Sequence, residues 1–177
     1  MRIRIFAAAT TALAVFACSG AAQAAEYYVG EEVVINDLAV EPNYLTGIEM
    51  SRMPEGMPAG KDVIHLEVDV HAAANEPHGF ADGEWIPYLG VGYTIEKIGS
   101  HFKKSGHLFA MTAGDGPHYA NNVAMDGPGQ YKLTYRFEPP SKQGFIRHVD
   151  KATGVPDWWQ PFNLSWTFTY PGELKDD

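Results

Sequence analysis

From Ile64 to His71 the chain reads Ile-His-Leu-Glu-Val-Asp-Val-His, apolar and polar side chains alternating without a break. A period of two belongs to an extended strand, whose side chains point to opposite faces in turn. The segment Asp62–His71 is therefore a strand with Ile64, Leu66, Val68 and Val70 on one side. His65, Glu67, Asp69 and His71 share the other, neighbours on that face lying roughly 6.6 Å apart. Such a strand must bury its aliphatic face against a second layer, and this requirement governs the rest of the chain.

The other apolar runs supply that layer. Glu32–Val40, Tyr88–Ile98, His107–Thr112, His118–Met125, Tyr131–Phe137 and Phe162–Tyr170 are each predicted as one strand. Turn signals part them, such as Asp82-Gly83, Gly114-Asp115-Gly116-Pro117 and Asp126-Gly127-Pro128-Gly129. No stretch carries an apolar period of 3.6 residues. The predicted fold class is all-β, an immunoglobulin-like β-sandwich of about seven or more strands. One connection, Glu138–Pro161, is long and contains four prolines. Phe145, Trp158 and Trp159 within it offer apolar area to pack it down, and long irregular connections often carry function.

The N-terminus predicts export. Arg2 and Arg4 precede an apolar run from Ile5 to Ala17, and Ala22-Gln23-Ala24 offers the small-x-small site that signal peptidase needs. The run is shorter than the ~20 residues of a spanning helix. Residues 1–24 are thus expected to be a cleaved signal peptide, and 25–177 a single immunoglobulin-like metal-binding domain in the periplasm. Lipidation at Cys18 is the alternative, although Phe16 is bulky where a lipobox has a small residue. Cys18 is the only cysteine, so a chain starting at Ala25 has neither disulfide nor thiolate ligand. Loss of Arg2 and Arg4 lowers Lys+Arg from 13 to 11 against 22 Asp+Glu, and the formal charge from −9 to −11. That balance disfavours nucleic acid and favours cations.

The chemistry then falls to histidine, carboxylate and methionine. His65 and Glu67 share a strand face and form a borderline-to-hard ligand pair; a plain solvated face is the competing reading. The Gly114–Pro117 turn should bring Met111 and His118 together across a hairpin, and a thioether suits copper(I). His148 lies in the long connection, where site residues concentrate. Met50, Met53 and Met57 form a loose group near Glu55, with packing over a sheet edge as the simpler role. His78, His101 and His107 have no partner that the sequence names. No Gly-x-Ser-x-Gly, His-Glu-x-x-His, phosphate loop or dinucleotide fingerprint is present, and the expectation is of a protein that is not an enzyme.

Taken together, four segments carry a resemblance. Met57–Ala72, Glu84–Leu89, Met111–Ala113 with Asp115–Tyr119, and Arg147–Lys151 resemble the periplasmic high-affinity iron-transport protein family, encoded beside an iron permease in many bacteria. Val68-Asp69-Val70 stands where Ala-Asp-Ile is more usual, a change confined to packing and second-face positions. The resemblance implies an immunoglobulin-like homodimer with a copper ion held by His65, Met111, His118 and His148, the last reaching across from the partner subunit. It also implies that Glu67 governs copper position or a second metal such as iron. The expected function is a metal-binding (copper, iron) component of high-affinity iron uptake, with an inner-membrane iron permease and an iron ion or iron chelate as partners. A copper carrier or copper-dependent oxidase, and an immunoglobulin-like interaction module with purely structural ions, are the rival readings.

Overall fold

The computed structural model describes residues 25–175. The predicted signal peptide, its cleavage site and Cys18 lie outside the described residues. Ten strands form two antiparallel sheets: β1 (Ala25–Tyr28), β2 (Val33–Ile35), β3 (Leu38–Thr46), β4 (Val63–Ala72), β5 (Gly90–Lys97), β6 (Lys103–His107), β7 (Phe109–Thr112), β8 (Pro117–Ala124), β9 (Gly129–Glu138) and β10 (Phe162–Tyr170). One sheet runs β1-β3-β4-β8-β7, with β2 also paired to β3; the other runs β10-β9-β5-β6. This is the predicted β-sandwich.

The alternation of β4 explains the packing. Ile64, Leu66, Val68 and Val70 are all fully buried, and Tyr131, Leu133, Tyr135 and Phe137 of β9 are equally buried across the interlayer space. Full burial of each such aliphatic side chain is worth about 1.5–3 kcal/mol. The tyrosines also settle polar groups at the layer boundary. The Tyr135 hydroxyl donates to the Glu67 carbonyl at 2.9 Å. The Tyr119 hydroxyl donates to the Ile86 carbonyl at 2.8 Å and accepts from the Leu89 amide at 3.0 Å.

One predicted strand is corrected. Glu32–Val40 is a hairpin, not a single strand. Asn36 and Asp37 take φ of 50° and 60°, and Val33–Ile35 folds back on Leu38–Val40. Two successive left-handed residues make the tight turn that antiparallel strands favour, and Asn and Asp tolerate that region best after Gly.

The long connection is packed down by its aromatics. After a 3-10 turn at Pro140–Gln143, Phe145 meets Tyr88 at 5.1 Å between ring centroids. Trp158 stacks on His78 at 4.0 Å, the planes 4° apart. His78 in turn holds Glu76 through Nδ1, which supplies the partners that the sequence did not reveal.

Candidate metal centre

The polar face of β4 is not a solvated exterior. His65 and Glu67 are each 4% exposed. The connection between β3 and β4 folds over them, as the bond from Asn122 Nδ2 to the Pro58 carbonyl at 3.0 Å records. Strand β8 runs beside β4 with His65 opposite Asn122 and Glu67 opposite Ala120. This register sets His118, two residues before Ala120, on the same covered face.

Three ligand atoms converge there. Glu67 Oε2 lies 3.4 Å from His118 Nε2 and 3.9 Å from His65 Nε2. One ligand atom from each residue falls within 4.8 Å of the other two. The imidazoles stand nearly perpendicular, 87° apart, so their lone pairs approach a common point from different directions. Donors bonded to one first-row ion at about 2.0–2.1 Å lie a few ångströms apart, so this trio fits an ion with small adjustments. Met111 enters from β7, where it pairs in register with His118. It is half-buried and lines the same cleft as His65, Glu67 and His118.

Burial decides the protonation. It holds His65 below the ordinary imidazole range, with the His118 ring adding to the effect and Asn122 opposing it. It lowers His118 as well, against the pull of Asp115 and the Gly116 backbone. Both rings are then neutral ligands at neutral pH. Burial pushes the Glu67 carboxyl up to about 8, with the negative charges of Asp69, Asp115 and Glu26 adding to it and Lys175 opposing. At neutral pH the close Glu67–imidazole contacts are therefore between largely neutral groups, and a cation must displace the carboxyl proton.

Asn122 is the residue that the sequence reading missed. Its Nδ2 donates to the Pro58 carbonyl, which turns Oδ1 toward His65 Nδ1 at 2.8 Å. That oxygen only accepts, so Nδ1 of His65 carries the proton and Nε2 presents its lone pair to the cleft. The signal was available: counting by two from His118 along β8 reaches Asn122. Asn122→Ala is expected to lower copper(II) affinity about 10- to 100-fold, the usual range for losing a hydrogen bond that orients a ligand. Calorimetric titration measures it, and unchanged affinity would mean that His65 needs no orienting partner.

His148 is not brought to this cluster within one chain. Its side chain is 73% exposed on the long connection. The Thr153 hydroxyl donates to Asp150 Oδ2 at 2.7 Å, so its oxygen accepts from His148 Nδ1 at 2.8 Å. With Nδ1 so engaged, Nε2 is the ring nitrogen left for another partner, and the neighbouring Ile146 and Val149 are exposed.

Known proteins match most of this chain. The family model described as Fe2+ transport protein matches residues 23–172. A UPF0423 protein of Brucella abortus is 42% identical over 159 residues, covering 87% of this chain and 86% of its own. Among solved structures, a copper-bound glutamate-to-glutamine variant of FetP from uropathogenic Escherichia coli strain F11 is 45% identical with a TM-score of 0.79, covering 84% of this chain and 99% of that one. The same FetP, as isolated after recombinant expression in the E. coli periplasm, matches at 44% identity and a TM-score of 0.76, over 82% and 95% of the two chains. The copper-reconstituted P19 protein of Campylobacter jejuni is 40% identical with a TM-score of 0.79, over 85% and 99%.

Proposed function

Because this chain belongs to the Fe2+ transport protein family, we propose that it is a periplasmic metal-binding component of a high-affinity iron-uptake system, working beside an inner-membrane iron permease and holding copper at the buried centre. The carrying observation is the convergence of His65, Glu67 and His118 within 4.8 Å under a covered sheet face. Copper-bound relatives of the same fold support the identity of the ion. Periplasmic expression of FetP supports the compartment, in line with the leader expected at residues 1–24.

The donor set defines the division of labour. Two neutral imidazoles, a thioether and a carboxylate suit copper in both oxidation states, and copper supplies one-electron chemistry when bound. Glu67 offers the hardest donor and the charge that an iron ion prefers. His65 is held in its binding tautomer by Asn122, and the cover of the β3–β4 connection limits water at the centre. His148, with Nε2 free, is the ligand that a second copy of the chain contributes. Exposed Ile146 (88%) and Val149 (76%) beside it give that subunit apolar area to bury.

Two expected results follow from the roles. Met111→Leu keeps the volume and removes the sulfur, so copper(I) affinity should fall by about tenfold or more while copper(II) affinity changes little. Competition titrations with chelators of each oxidation state measure both; equal losses would mean that the sulfur is not a ligand. The function itself is tested by growth in iron-depleted medium. A deletion strain carrying His118→Ala should grow like the deletion, and one carrying the unaltered gene should recover. Growth equal to wild type with a metal-free His118→Ala protein would refute a role for the centre in iron uptake.

A further inference from the structure

The centre is buried, and an ion reaching it has to shed water along the way. The β3–β4 connection supplies what lies on that route. Two clefts adjoin His65. The first, of about 770 Å³, contains Met50 and Met111 with Glu67 and His118. The second, of about 910 Å³, contains Met50 and Met53. Met50 belongs to both. Exposure falls in the same order: Met53 is 38% exposed, Met50 and Met111 are half-buried, and the imidazoles are buried.

Packing alone does not explain this series. A methionine that fills a core gap is buried, as Met125 is at 8%. Met53 is partly exposed beside Pro54 in a stretch with no regular structure. Packing accounts for part of its surface, and what methionine adds there over leucine is a soft, polarisable sulfur. Carboxylates attract any cation at such a mouth, and Glu49 and Asp115 do so here against the opposing charge of Arg52. Thioethers select among them. Sulfur of this kind binds copper(I) and its redox-silent analogue silver(I), and binds hydrated iron poorly.

We propose that Met53 and Met50 form a thioether route by which copper(I) enters, passing from the partly exposed Met53 through Met50 to Met111 and the buried imidazoles. The route rests on the copper centre described above and adds to it a function for the β3–β4 connection. Copper arrives along sulfur in its reduced form, while harder ions approach Glu67 without passing through these donors.

The test uses the dimeric mature protein and its Met50→Leu/Met53→Leu variant, in which volume is retained. Copper(I) is delivered anaerobically from a coloured chelate, and its transfer is followed by stopped flow. The variant is expected to load copper(I) about tenfold more slowly, while its equilibrium copper(I) affinity and its copper(II) loading rate stay within about twofold of the parent. Met57→Leu serves as control, because Met57 opens on a different cleft, with Tyr93 and Lys104. In the parent with methyl-labelled methionine, silver(I) below one equivalent should shift the Met50, Met53 and Met111 signals and leave Met57 and Met125 in place. Unslowed copper(I) loading in the double variant overturns the route. Equal slowing of copper(II) does so too, since it would mean a general disturbance of the cover. If the parent itself takes up no copper(I), the centre as proposed fails, and that outcome is distinct from a parent that loads normally beside an unslowed variant.

Discussion

Copper(II) is expected to bind the metal-free protein about fiftyfold more tightly at pH 8 than at pH 6, releasing about one proton per ion at the lower pH. The proton is that of Glu67, whose carboxyl is pushed up to about 8 by burial and by nearby negative charge. A carboxyl with that value is about one per cent ionised at pH 6 and half ionised at pH 8. Burial keeps both imidazoles below their ordinary value, so they contribute less to this window than Glu67 does. Stability carries the same signature with the opposite slope. The folded carboxyl holds its proton more firmly than the unfolded one. Its contribution is fully present below the unfolded value of about 4.5 and is lost as the pH rises through about 8, a few kcal/mol in all. The metal-free melting temperature should fall across that range, and a bound ion should recover the loss. Glu67→Gln should flatten both profiles. Affinity that is independent of pH between 6 and 8 in the parent would show that the metal does not displace the Glu67 proton.

His118→Ala and His148→Ala are each expected to abolish tight copper binding alone, and to restore it in part when refolded together. His118 sits within the cluster of its own chain, whereas His148 is exposed and not part of it. If His148 completes the partner's site, a mixed dimer has one site lacking both ligands and one keeping both. In a dimer with a two-fold interface the two sites would be equivalent. Equal mixing yields about half mixed dimers, so about a quarter of the parent's sites should return. Size-exclusion chromatography with metal analysis reads this directly. No recovery from variants that still dimerise would place His148 outside the site or within its own subunit's.

Much of the architecture was legible because it rests on period two. Residues 62–71 and 162–170 were readable as strands since each has a face to bury, and the structure places β4 and β10 there. Residues 32–40 misled because Asn36 and Asp37 interrupt an apolar run by only two residues, as short an interruption as a hairpin allows. Strands β1 and β6 were not anticipated. Both lie at sheet edges, and Lys103–His107 has little apolar surface to bury, so no alternation marks it. At the site, the hairpin pairing of Met111 with His118 could be seen from the turn between them. The burial of His65 and Glu67 could not, because it depends on where an irregular connection lies, which no local pattern encodes. His148 is the remaining case: its place in the long connection was visible, and the role proposed for it needs a second chain.

The proposed ligands differ in the strands that carry them. His65 and Glu67 stand on β4, hydrogen-bonded on both sides by β3 and β8, and His118 stands on β8, itself flanked by β4 and β7. Met111 sits on a four-residue strand with a neighbour on one side only. Local opening is cheapest where few backbone bonds and little apolar contact must be broken. Amides around Met111 will therefore exchange with solvent long before those of β4. If Met111 is a ligand, a bound ion will lose its sulfur many times without losing its imidazoles. Departure of the metal would then be a sequence in which the soft donor lets go first, its rate governed by the fraying of β7 and the depth of the trap by β4.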